Sequence, residues 1–390
     1  MNSRFRQAAF VAILSTLAVL VVLALDFSVR QVYLRLRSQP VALGPKFPRE
    51  KHPFYHHGLK PNASGFDTYG SLQTPYFSNS LGMRDVSKRE IPPNGSDPRI
   101  LLIGDSFTEG IGIPWAETFA GILAETMQSQ SAEVLNSGVA SYCPAIELAR
   151  LRWLMERQGL QVQRVVLFLD IADLRDELSY ETAPDGSIHD KGGTPLSLAH
   201  PTSDAGLEKM KKWNQIILWL HDHVEENFVL LGAVVRNLRL TWEKHGSQGG
   251  VRASDLKGDW GGEWPDYRGP MEPAVEAGLR GAKQSMDQLK EFLDARKVPL
   301  TLVIYPWPQQ IRAGTRPSRM ESEWQTWAAQ RAVPVINLFP LFLDTENSRE
   351  EIIRKYYIPG DFHWNAQGHA HVAQFLLSAP IQPLWGKPVP

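Results

Sequence analysis

Three short segments hold side chains suited to nucleophilic chemistry. Gly104-Asp105-Ser106 follows the apolar run Ile100–Ile103, Asn136-Ser137-Gly138 follows Val134-Leu135, and Asp361-Phe362-His363 stands just before the last helical stretch. A serine hydroxyl is a weak nucleophile until a base takes its proton, and attack on a carbonyl also needs donors for the oxyanion that forms. His363 is the candidate base for Ser106, and Asp361 the candidate group that holds its imidazole in one tautomer. The backbone N–H groups of Ser106 and Gly138 are the candidate oxyanion donors, since a glycine lets the backbone come close. Asp105, Asn136 and Asp173 are candidate supporting residues.

Each segment also has a plainer reading. Gly-Asp-Ser is a common turn, Asn-Ser-Gly after a strand is usually a turn, and Asp361 can cap the helix it precedes. The conjunction favours chemistry, because ligands of open α/β sheets bind at the C-terminal ends of the strands and each segment lies at such an end. His369 and His371 read as packing or surface residues. His221 and His223, two apart on an expected helix, do not share a face. No convergent His/Asp/Glu set can be assembled, so no metal and no cofactor is expected.

The elements that must position these groups read as alternating strand and helix from Arg99 onward. Ile100–Ile103, Val134-Leu135, Val165–Leu169, Leu300–Tyr305 and Val333–Asn337 are five short apolar runs suited to strands buried on both faces. Pro114 and Pro144 can each open a helix at its first position. Ser318 and Glu321 have capping-box spacing for a helix near 319–331, and other helices are expected near 276–296 and 366–378. This pattern predicts a parallel sheet with helices on both faces. Residues 31–98, rich in Pro, Gly, Asn and His, are expected to wrap the domain as irregular chain. Residues 181–275 read as an insertion with a loop at each end and an apolar helical middle, Leu207 to Leu240, that caps the site.

The chain has 390 residues, 43% hydrophobic and 21% charged, with a formal net charge of -1. That is globular composition without the basic field that nucleic-acid binding requires. The single cysteine, Cys143, excludes an intramolecular disulfide. Ala8 to Leu25 carries no charge and has about the length needed to cross a bilayer, so residues 1–30 are expected to form an uncleaved transmembrane signal-anchor.

"LLIGDSFTEG" resembles the first block of the SGNH (GDSL-like) hydrolase superfamily, whose nucleophilic serine corresponds to Ser106. "NSGVASY" resembles the second block, with its glycine at Gly138, and "DFHWNAQGHAHVA" the last block, which carries acid and base. The resemblance spans roughly 99–180 and 280–378, and "FSNSLGMRD" upstream resembles the lead-in of membrane-anchored bacterial members. It implies a three-layer flavodoxin-like α/β fold with a five-stranded parallel sheet, formed by residues 99–180 and 276–380, beside the transmembrane helix and the helical insertion. Two features depart from the family pattern. Its acid and base are usually spaced Asp-x-x-His, whereas Asp361 and His363 are two apart. Its third block usually supplies an asparagine to the oxyanion, whereas Asp170-Ile171-Ala172-Asp173 has none.

The resulting expectation is a serine esterase, held at the inner membrane with its catalytic domain in the periplasm. It would act on O-acyl esters of an envelope glycan or lipid through an acyl-Ser106 intermediate. Two alternatives stand beside it: an O-acyltransferase using the same site with a multi-span acyl-transfer partner, and a catalytically degenerate glycan-binding or scaffold module.

Overall fold

The segment expected to be irregular contains five strands. In the computed structural model, which describes residues 25–26, 47–69, 72–191 and 272–385, β1 (Arg49–His52) and β2 (His56–Leu59) form an antiparallel hairpin. Strands β3 (Ser64–Tyr69), β4 (Leu72–Ser78) and β5 (Arg84–Asp85) follow as an antiparallel meander. The reason is burial: Tyr76 and Met83 are enclosed, so the backbone around them must be paired. Asn79 builds the β4–β5 turn by accepting from the N–H groups of Leu81 and Met83 and donating to Asp85.

The alternating region follows. Strand β6 (Arg99–Ile103) leads into the one-turn helix α1 (Ser106–Glu109), and α2 (Phe119–Gln128) into β7 (Glu133–Asn136). Pro114 opens a single 3-10 turn rather than the helix, which starts where the Thr118 hydroxyl accepts from Gly121 N–H. Helix α3 (Pro144–Arg152) carries Pro144 in its first turn and precedes β8 (Arg164–Leu169) and α4 (Ile171–Asp176). The start of the expected insertion is a small hairpin, β9 (Tyr180–Thr182) with β10 (Ile188–Asp190), rather than loop. Helix α5 (Glu272–Asp294), β11 (Leu300–Ile304), α6 (Pro308–Ala313), α7 (Arg319–Gln330) and β12 (Val335–Asn337) continue the alternation. Helices α8 (Phe339–Leu343), α9 (Arg349–Tyr356), α10 (Ala366–Leu377) and α11 (Gln382–Trp385) complete the described chain. Ser318 and Glu321 form the capping box at α7.

The main sheet has eight strands in the order β12-β11-β8-β6-β7-β5-β4-β3. The first five are mutually parallel; β5, β4 and β3 extend them antiparallel through the pairing of Arg84 with Asn136. The expected five-stranded parallel sheet is therefore the larger part of an eight-stranded mixed one, because the upstream segment adds its own strands. The parallel strands, taken in order of appearance, lie 2-1-3-4-5, a doubly wound arrangement whose crevice opens at the C-terminal ends of β6 and β8. Every residue of β6, β8 and β11 is buried. Helix α5 packs on α3 and α4, while α2 packs on β7 and α10.

Among the described residues no helix is long and apolar enough to cross a membrane. The expected span Ala8–Leu25, apart from Leu25 itself, and the apolar stretch Leu207 to Leu240 lie outside the described residues.

Candidate active site

Gly104 turns the chain at the end of β6. A Cβ there would stand 2.3 Å from Thr108 Oγ1 and 2.9 Å from the Phe168 carbonyl, so the turn closes only around glycine. Asp105 then caps α1, accepting from Phe107 N–H at 2.9 Å. Ser106 becomes the first residue of this helix, so its own N–H has no acceptor within the helix.

His363 comes to Ser106 from the loop before α10. Its Nε2 lies 2.7 Å from Ser106 Oγ and its Nδ1 2.6 Å from Asp361 Oδ1. An ionised carboxylate accepts only, so in a neutral imidazole Nδ1 carries the proton and the Nε2 lone pair faces the serine hydroxyl. The same Asp361 oxygen accepts from His363 N–H at 2.8 Å. A spacing of two is thus sufficient here, because the loop folds back through Gly360, at φ +78°, and one carboxylate oxygen holds both backbone and ring. Asn365 fixes the loop's exit by capping α10 at Gly368 N–H and donating to the Lys355 and Tyr357 carbonyls. Trp364 is fully buried against Phe107 and Tyr305.

Asn136 links the turn after β7 to α1, the helix that carries Ser106. Its Nδ2 donates to the Thr108 carbonyl at 2.7 Å, and its Oδ1 accepts from Gly138 N–H at 3.0 Å. The Gly138 N–H expected to face an oxyanion is therefore engaged by a side chain two residues before it. Gly138 itself packs tightly on α1: a Cβ would meet Thr108 Cβ at 2.6 Å and Glu109 N at 2.7 Å.

The third-block stretch starts a helix. Asp170 accepts from Ala172 N–H at 2.6 Å, and Asp173 accepts from Asp170 N–H at 2.6 Å, a reciprocal capping box. Trp307 Nε1 also donates to Asp170, at 2.6 Å. Asp173 thus supports the turn after β8 and has no hydrogen bond to Ser106, His363 or Asp361. Tyr305 donates to Asp105 at 2.9 Å, which joins the end of β11 to the cap of α1. Asp105 in turn lies 3.4 Å from Ser106 Oγ.

Behind the serine lies a group of buried acids. Burial, then the neighbouring Asp170, holds Asp105 well above the usual carboxylate range. Burial and its acidic neighbours do the same for Asp173 and Glu147. Asp170 is pushed up to about 6 by burial, against the hydrogen bonds from Trp307 and Ala172. Low-dielectric surroundings disfavour several adjacent negative charges, so these acids keep protons at pH values where exposed ones have lost them. Among the described residues no group of three or more His, Cys, Asp or Glu side chains could hold a metal ion.

No sequence motif marks Trp307, Phe362, Tyr305 or Glu109, yet all four pack around Ser106 and His363 or the helix that carries Ser106. Trp307 and Phe362 stack face to face at 4.2 Å, and Phe362 leans on the His363 ring at 4.2 Å, so an aromatic wall backs His363. His369 accepts from Phe119 N–H in the interior, where burial pushes its pKa down to about 3. His371 stacks on Tyr356. Both are packing residues, while His221 and His223 lie outside the described residues. A cleft of about 640 Å³ beside α2 and β7 is lined by none of Ser106, Asp361 and His363, and its Arg89 and Arg99 are paired with Glu133.

No protein-family model and no curated protein matches the sequence. Solved structures similar to the chain include the psychrotrophic esterase EstA from Pseudoalteromonas sp., at 12% identity, 74% of this chain, 99% of that one and a TM-score of 0.38. The lipase/acylhydrolase from Enterococcus faecalis aligns at 13% identity over 75% of this chain and 99% of its own, with a TM-score of 0.36. A member of the lipolytic protein G-D-S-L family from Veillonella parvula aligns at 11% identity, 72% and 97% coverage and a TM-score of 0.36.

Proposed function

We propose that the chain is a serine ester hydrolase of the SGNH kind that works through an acyl-Ser106 intermediate. The observation that carries this reading is the continuous Asp361–His363–Ser106 relay, with contacts of 2.6 and 2.7 Å. Ser106 Oγ attacks the ester carbonyl while His363 Nε2 takes its proton. Asp361 holds the imidazole and stabilises the imidazolium that forms. His363 then returns the proton to the leaving alcohol, and water, activated by the same nitrogen, releases the acid. Ser106 N–H is the oxyanion donor. The third-block asparagine is missing and Gly138 N–H is engaged, so this hole has fewer donors than the family pattern. One donor is worth about two to three orders of magnitude in rate, which makes a slow or specialised enzyme the expected form.

The substrate proposed is an O-acyl ester of an envelope glycan or lipid. The support is the uncharged stretch Ala8–Leu25, read as an anchor in the inner membrane; the periplasmic side follows from the proposed substrate rather than from the flanking charges, since Arg30, Arg35 and Arg37 follow the span. If a sugar hydroxyl rather than water takes the acyl group, the same intermediate makes the chain an O-acyltransferase, fed by a multi-span acyl-transfer partner. The sparse oxyanion hole favours one further reading, a binding module that has lost catalysis.

Turnover separates these readings. The full chain in detergent is expected to hydrolyse p-nitrophenyl acetate and to release acetate from an acetylated polysaccharide, and Ser106→Ala to do neither. Acetyl transfer to an added glycan in place of acetate release identifies the transferase. Glycan binding by a chain without turnover on any ester would overturn the hydrolase reading in favour of the binding module.

A further inference from the structure

Glu109, three residues after Ser106 and at the end of the same one-turn helix, is a fully buried carboxylate whose ligands come from three distant segments. Arg49 of β1 grips it with both terminal nitrogens, at 2.9 Å from Nη1 to Oε2. The Tyr76 hydroxyl of β4 donates to Oε1. Ala140 N–H, two residues past Gly138, donates to Oε2 at 2.7 Å. Arg84 of β5 donates to the backbone carbonyls of Glu109, Gly110 and Ile113, closing the C-terminal end of the helix.

We infer that Arg49 and Glu109 are positioning residues for catalysis at Ser106: their ion pair locks the loop 136–140 onto the nucleophile's helix. The inference rests on the hydrolase reading. Oε2 accepts from Arg49 and from Ala140 together, so the charge that holds β1 also holds the second-block backbone. The Ala140 carbonyl is taken from the same side, at 2.8 Å from His57 Nε2 at the start of β2. Loop 136–140 is otherwise hydrogen-bonded to the nucleophile's turn through Asn136 on Thr108 and Val139 N–H on the Gly104 carbonyl, and Gly138 packs on Thr108 and Glu109. The upstream strands therefore reach the nucleophile's helix through Arg49, Tyr76 and Arg84. Arg49 is a third exposed whereas Glu109 has no exposure, so removing the arginine strands a buried charge. The carboxylate then either takes up a proton or draws in water, and in both cases its grip on Ala140 weakens.

The test is steady-state kinetics of Arg49→Met, Arg49→Lys, Glu109→Gln and the Arg49→Met/Glu109→Gln pair on p-nitrophenyl acetate. Rates are expressed per site titrated to completion with a fluorophosphonate, which removes any unfolded fraction. Expected is a fall in kcat of about 10- to 100-fold for Arg49→Met and Glu109→Gln. KM should stay within about threefold, the pair should be no worse than the poorer single variant, and Arg49→Lys should recover part of the rate. Should Arg49→Met fail to fold, Glu109→Gln and Arg49→Lys decide by the same readout. Wild-type kcat per titrated site in these variants would overturn the inference and leave the hydrolase reading intact. A wild-type chain inert to both ester and probe would overturn the reading and the inference with it.

Discussion

His363 Nε2 lies 2.7 Å from Ser106 Oγ, although 257 positions separate the two residues in sequence. Two elements make this contact. The Gly104 turn lifts the serine off the end of β6, and the loop from Gly360 to Asn365 brings the imidazole over it. Phe107 and Trp364 pack between these elements, with ring centroids 4.9 Å apart.

Removal of either member of that pair should remove most of the catalysis. His363→Ala and Ser106→Ala are expected to lower kcat on an activated ester by about four to six orders of magnitude. Asp361→Asn should cost about four, because an amide no longer fixes the tautomer or stabilises the imidazolium. Combining His363→Ala with Asp361→Asn should add little to His363→Ala alone. Steady-state kinetics on the three single variants and this double checks the claim, and independent, multiplicative losses would count against a relay.

Asp105 is expected to matter through shape. It caps α1 and receives the Tyr305 hydroxyl in the interior. Asp105→Ala should lose about 1 kcal/mol for the cap and about 1–3 kcal/mol for the stranded hydroxyl. Asp105→Asn keeps an oxygen for both and should be far milder. Denaturant unfolding of the two variants measures the difference.

Glu147 predicts a pH-dependent gain in stability. Neither of its carboxylate oxygens has a hydrogen-bond partner, and burial beside Asp105 and Glu177 raises its pKa well above 4.5. Below about pH 4.5 the group is protonated in both folded and unfolded chains. As pH rises beyond that, the unfolded chain loses the proton while the folded chain retains it, so folding is progressively disfavoured until the raised pKa is passed. Glu147→Met should therefore be more stable than wild type at neutral pH, by at least about 1–3 kcal/mol, and the gap should shrink toward pH 4. Unfolding free energies of both proteins across pH 4 to 8 supply the test.

The parallel half of the sheet was legible because its strands are buried on both faces. Ile100–Ile103 and Val165–Leu169 are unbroken apolar runs of strand length that alternate with helical patterns and end at turn residues. The antiparallel half was not. Around Tyr76 and Met83 the chain carries Pro75, Asn79 and Gly82, residue types that read as turns, so a seven-residue strand containing Pro75 and a two-residue strand are hidden inside what reads as loop. Ser106, Asp361 and His363 were legible because the chemistry restricts their residue types. The engagement of Gly138 N–H was not, since Asn136 reads equally well as a turn residue. Glu109 offered one signal, a lone charge in "SFTEGIGI" next to a buried strand, but its cation lies 60 positions upstream and no local pattern names it. The Trp307–Asp170 bond likewise spans 137 positions.

Activation of Ser106 by His363 is read by covalent labelling. The full-length chain is treated with a fluorophosphonate, digested, and the adduct located by mass spectrometry. One adduct per chain on the peptide containing Ser106 is expected, formed at least about 100-fold more slowly in His363→Ala, since an unassisted hydroxyl is a poor nucleophile. A chain that remains unlabelled, or one labelled at Ser106 equally fast with and without His363, would contradict the account.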